Sequence, residues 1–135
     1  MHEWALAEAV IVSAIEKSRK EGLKEITEIK LKIGELQQMD TGILKFALAE
    51  IAKECGELLK DVKTVIVSEP AIFRCRVCGN EWDFGAAGLN DDEGEAVHFA
   101  PEVAHVYVRC DSCKSPDFEM IQGRGVLIEH IKGVV

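Results

Sequence analysis

Four cysteines stand in two close pairs, Cys75 with Cys78 and Cys110 with Cys113, separated by 31 residues. A Cys-x-x-Cys turn points both sulfurs the same way, and its backbone amides can donate to them. Two such turns therefore bring four thiolates to one ion. Zn2+ suits a closed tetrahedral thiolate set of this kind. With every position filled by sulfur, no place is left for a reactive water, so the metal is expected to be structural. Gly79 follows the first pair, where the turn calls for a left-handed backbone. A pair of disulfides and a rubredoxin-like iron centre use the same spacing; a reducing compartment argues against the first. Cys55 lies apart, on an apolar helical stripe, and reads as an inert core residue.

A second chemistry begins at the first residue, in MHEWALAEA. Met1 is expected to stay in place, because removal of an initiator methionine generally needs a small second residue. The Met1 amine, the His2 backbone nitrogen and the His2 imidazole then form a fused chelate. A deprotonated amide in such a chelate favours a metal with a square-planar preference, Ni2+ or Cu2+, over Zn2+. The Glu3 amide or carboxylate, or a second histidine, can supply the fourth donor. From the residue alone, a solvated His2 remains the plainer reading.

These groups need elements to hold them. Residues 3–21 place Trp4, Ala7, Ile11, Ala14 and Ile15 on one helical stripe, with Gly22 as the stop. Ile29, Leu31 and Ile33 alternate with Lys30 and Lys32, as in a half-buried strand over 26–36. A second helix is expected over 42–59, capped by Asp40 or Thr41, then a strand over 62–70 ending at Pro70. One further strand, bent at Gly123 and Gly125, is expected over 120–131. The fold class is α/β (α+β): two helices on a three-stranded sheet, interrupted by a zinc-ribbon module. On this reading residues 1–70 and 120–135 form a nickel-binding α/β domain, and 71–119 an inserted zinc-binding domain.

Charge narrows the function. The 135 residues carry a net −8, and residues 71–119 set ten acidic side chains against four basic ones. Such a surface repels phosphate backbones, so nucleic acid is a poor partner for the ribbon despite Trp82, Phe84, Phe99 and Phe118. No apolar run is long enough to cross a bilayer and no signal peptide is evident, so the expected location is the cytoplasm. There is no glycine-rich phosphate loop and no nucleophile–base order, so an enzyme is not expected.

MHEWALAEA at the start, KIGELQQMD before a helix, and CRVCG with CDSC in a late insert together resemble the HypA/HybF family of hydrogenase nickel-insertion accessory proteins. The resemblance runs over essentially the whole chain. It implies a nickel metallochaperone that carries Ni2+ to the [NiFe]-hydrogenase large-subunit precursor, working with a nucleotide-hydrolysing nickel-insertion partner. It also implies nickel at Met1, His2 and Glu3, and zinc at Cys75, Cys78, Cys110 and Cys113. The long interval between the cysteine pairs departs from typical bacterial members and holds His98 and His105, which the family pattern does not assign. His98, following the acidic run NDDEGE in what reads as a mobile loop, is a candidate fourth nickel ligand. His105 reads as a surface or zinc-supporting residue on a short strand, and His130 as structural. A monomer or a domain-swapped dimer fits an insert between two strands. The competing readings are a nucleic-acid-binding zinc ribbon and a rubredoxin-like iron protein.

Overall fold

The computed structural model describes residues 2–37 and 39–135 and divides into two compact units. The first comprises Met1–Lys32, Met39–Val67 and Leu127–Val135; the second comprises Ile33–Gln38 and Ser68–Val126.

In the first unit, helix α1 runs over Glu3–Glu21 and buries Ala7, Val10, Ile11 and Ala14. Its end is a left-handed Gly22 (φ 69°), with the Leu23 N–H donating back to the Ser18 carbonyl at 2.9 Å. That is the expected glycine stop. Strand β1 (Glu25–Gly34) buries Ile26, Ile29, Leu31 and Ile33. Lys30 and Lys32 both pair with Glu129, at 3.1 and 3.5 Å. Helix α2 spans Thr41–Lys53 and buries Leu44, Ala47, Leu48 and Ala52. Of the two possible caps it is Asp40 that acts, accepting the Ile43 N–H at 3.0 Å. The α-helix stops well short of residue 59; Gly56, at φ 67°, precedes a separate 3-10 turn over Gly56–Leu59. Cys55 falls past the helix, half-buried, its thiol donating to the Ile51 carbonyl at 3.4 Å. It is not the fully buried residue that the stripe suggested. The two helices pack against each other.

Strand β2 is Lys63–Glu69. The segment 120–131 is two strands rather than one bent strand. Taken with β3 (Ile72–Cys75) and β4 (Glu81–Asp83), strand β5 (Phe118–Gln122) belongs to a second sheet, whereas β6 (Val126–Val134) joins the first. The strand orders are β2-β1-β6 and β4-β3-β5. Gly123 and Gly125, at φ 100° and 91°, make the turn that separates β5 from β6.

The second unit is built on the antiparallel sheet β4-β3-β5, with Phe73 opposite Trp82 on one side and Met120 on the other. Phe73, Trp82 and Phe118 lie within 5.1–5.7 Å of one another, ring centre to ring centre, and form its core. Leu36 is buried in the same cluster. Its chain pass is tied down by hydrogen bonds from the Leu36 N–H to the Gly123 carbonyl (2.9 Å) and from the Ala71 N–H to the Glu35 carboxylate (2.8 Å). The chain passes crowd together here. A Cβ on Gly34 would overlap the Gly123 backbone, and one on Gly123 would overlap Ala71. Helix α3 (Asp91–Phe99) opens with a capping box between Asn90 and Glu93, and a single turn, α4, covers Ala104–Tyr107. His98 therefore stands on a helix rather than a mobile loop, and His105 on a helical turn rather than a strand.

Candidate metal centre

Two knuckles of nearly identical backbone shape present the cysteines. In the first, the Cys75 N–H donates to the Asn80 carbonyl (2.8 Å) and the Gly79 N–H returns to the Cys75 carbonyl (3.0 Å). In the second, the Cys110 N–H donates to Ser115 (3.0 Å) and the Lys114 N–H to the Cys110 carbonyl (2.9 Å). Each knuckle needs a left-handed residue four positions after its first cysteine. Gly79 fills that role at φ 78°, and Lys114 at φ 65°.

The knuckles face each other so that all four sulfurs lie within 4.8 Å of one another. Cys75 Sγ is 3.5 Å from Cys113 Sγ, and Cys78 Sγ is 3.6 Å from Cys110 Sγ. No pair is bonded, so the disulfide alternative is set aside. Thiolates about 2.3 Å from a tetrahedral zinc are about 3.8 Å apart, so the group matches such an ion in size as well as in chemistry. Backbone N–H groups aim at the sulfurs: Val77 and Cys78 at Cys75 (3.4 and 3.5 Å), and Cys113 at Cys110 (3.4 Å). Asn80 links the knuckles, donating through Nδ2 to Cys110 Sγ at 3.7 Å and to the Asp111 carboxylate.

The electrostatics follow this geometry. The Cys78 amide leads in holding the Cys75 thiol below its ordinary range. Burial pushes Cys110 up, but the Cys113 and Ser112 amides and the neighbouring thiols together bring it down to about 6. Cys113 is lowered by the Ser115 amide, but Cys75, burial, Cys78 and Cys110 outweigh this and drive it up to about 12. One sulfur thus ionises readily and another resists, as expected of crowded thiols that need a cation to be negative together.

The candidate nickel residues sit differently. Met1 lies outside the described residues. His2 is exposed at the N-cap of α1, its carbonyl accepting the Leu6 N–H at 2.9 Å, while its side chain makes no capping bond. Glu3 is turned inward and is only 4% exposed; its carboxylate accepts the Asp40 N–H at 3.1 Å. The Glu3 carboxylate is thus engaged by Asp40, whereas His2 is open to solvent. His98 is half-buried, with its ring 5.3 Å from that of Phe84 and Nδ1 2.7 Å from the Gly94 carbonyl. A carbonyl only accepts, so Nδ1 carries the proton and Nε2 the lone pair. By the same argument His105 donates from Nδ1 to the Pro116 carbonyl (3.0 Å) while stacking on Phe118 at 4.2 Å. His130 meets Glu28 at 2.7 Å across β1 and β6.

Three contributions escape a sequence reading: the Glu3–Asp40 tie, the Asn80 bridge and the left-handed Lys114. Only the last had a signal, since matching CRVCG to CDSCK aligns Lys114 with Gly79.

The model of the family described as hydrogenase/urease nickel incorporation, metallochaperone, HypA matches residues 1–133. The hydrogenase maturation factor HypA of Thermococcus onnurineus is 40% identical over 134 residues, covering 98% of this chain and 95% of that protein. The same protein of Pyrococcus horikoshii gives the same figures. The solution structure of the Ni metallochaperone HypA from Helicobacter pylori shares the fold, with a TM-score of 0.66 at 21% identity and coverage of 99% and 98%. From a family match along almost the whole chain and relatives at this level of identity, the chain belongs to the HypA family of nickel-incorporation metallochaperones.

Proposed function

We propose that this nickel metallochaperone takes Ni2+ as cargo on a chelate formed by the Met1 amine, the His2 amide and imidazole, and the Glu3 amide. The observation that carries this is the contrast in the first turn of α1: His2 is exposed while the Glu3 carboxylate is engaged inside, against Asp40. Glu3 is thereby held in place directly beside an exposed His2. Amide nitrogens bind only when deprotonated, which selects Ni2+ over Zn2+ and makes the cargo easy to shed when protons return. His98 offers Nε2 as a further nitrogen donor. Nickel passes to the [NiFe]-hydrogenase large-subunit precursor with the help of a nucleotide-hydrolysing nickel-insertion partner, in the cytoplasm.

Cys75, Cys78, Cys110 and Cys113 are the residues that hold structural zinc. That ion supplies fixed geometry and charge neutralisation to four thiolates, and no reaction step passes through it. A nucleic-acid-binding ribbon or a rubredoxin-like iron protein is not favoured for a chain of this family.

The test is a nickel titration of the zinc-loaded protein beside a variant with one alanine added before Met1. The extension moves the amine away from His2 and spares every side chain. The expected result is loss of one tight nickel site with zinc still at one per chain. Equal nickel binding by both proteins overturns the chelate.

A further inference from the structure

Directly after the nickel-binding turn, the first unit carries an apolar face that its own core does not cover. Trp4 is 49% exposed, Ile43 45% and Phe46 59%, although the helices that bear them bury their other apolar stripe. Trp4 and Phe46 meet edge to face, their centroids 6.1 Å apart. With Ile51, they wall a cleft of about 300 Å³ whose remaining lining is Glu50 and Glu54. Exposed aromatics beside a cleft are typical of contact sites rather than of idle surface.

We propose that this face docks the protein that exchanges nickel at His2, and that the partner presents an apolar ridge flanked by lysine or arginine. The inference rests on the chelate reading above, and it adds where the handover contact lies and what chemistry fits it. Charge decides the kind of occupant. Glu50 is paired only with Lys53, at 3.1 Å, and Glu54 has no ion pair among the described residues. A second copy of this chain docking by the same face would set these carboxylates against their own equivalents, because a two-fold interface is self-complementary. A basic rim on a different protein satisfies them instead, and also steers its approach. Position supports the same choice. Trp4 occupies the helical turn that begins at His2, so a partner seated on it covers the cargo as it arrives or leaves.

Two variants test the idea in the full zinc-loaded chain: Phe46→Ser, and the double substitution Glu50→Lys with Glu54→Lys. All three side chains lie on the surface of α2 or just past it, so the thermal midpoint should stay close to that of the unmodified chain. The probes are the purified nucleotide-hydrolysing nickel-insertion partner and the purified large-subunit precursor, each titrated at low and high salt without nickel. Phe46→Ser should weaken binding of one probe by about tenfold or more. The charge reversal should slow association and reverse its salt dependence, since lysines facing a basic rim repel it and salt screens that repulsion. Unchanged affinity of both probes for both variants overturns the proposal, as does failure of both to bind the unmodified chain. Phe46-dependent self-association in sedimentation overturns it in favour of a second copy. Because these titrations contain no nickel, a failed chelate and a failed dock are read separately.

Discussion

At the scale of single residues, the two knuckles compare a glycine and a lysine in the same backbone role. Lys114 holds a left-handed conformation that Gly79 adopts without a Cβ to hinder it. Lys114→Gly is therefore expected to stabilise the zinc-loaded protein by about 0.5–1 kcal/mol; denaturant midpoints with zinc present check this. Glu3 matters in another way. Glu3→Ala removes the acceptor of the Asp40 amide and should cost about 1–3 kcal/mol while weakening nickel binding, by calorimetry, through a loosened chain start. Glu28 contributes to acid stability: its carboxyl is held below its ordinary value of 4.5, chiefly by the hydrogen bond from His130 and then by Lys132. A lowered carboxyl pKa stabilises the folded state above the unfolded value, and the benefit is lost as pH falls through the folded value. The gap in melting temperature between the unmodified chain and Glu28→Gln should be steady near neutrality and close below about pH 4. The cysteines were legible in the sequence because thiolate chemistry needs only the residue type and a short spacing. A single His2 carries too little information by itself, and there the family resemblance supplied the weight.

At the scale of elements, α1 and β1 were legible because each buries one face along a clear period. The division of 120–131 into two strands was not. Apolar residues continue on both sides of Gly123 and Gly125, and only pairing to different neighbours separates β5 from β6. Helix α3 had a local signal in Asn90 and Glu93, three residues apart, but its acidic run and Gly94 resembled a loop, and it buries only Val97. The glycines at the crossing of chain passes are also now interpretable. Gly34→Ala or Gly123→Ala would force backbone against backbone, and each should cost at least about 3 kcal/mol in chemical denaturation. Zinc removal belongs to this scale too. The first knuckle begins at Cys75, where β3 ends, and the second lies just before β5 opens at Phe118, so chelation should abolish the near-ultraviolet signal of Trp82 while the far-ultraviolet signal of α1 and α2 largely remains.

For the whole molecule, the strand order has a consequence in time as well as space. β1 lies between β2 and β6; β2 is made soon after it, whereas β6 is made only after the second unit. A chain emerging from the ribosome therefore holds β1 with one row of amides and carbonyls open throughout synthesis of the cysteine-bearing stretch. Open rows of this kind recruit neighbouring nascent chains. The bond from the Gly34 N–H to the Gly125 carbonyl, 2.8 Å long, joins the residue that ends β1 to the one that precedes β6. That bond holds the end of β1 next to the start of β6. Zinc supply during translation should then matter for more than one small module, with the chain accumulating as aggregate in starved cells and as finished protein in supplied ones.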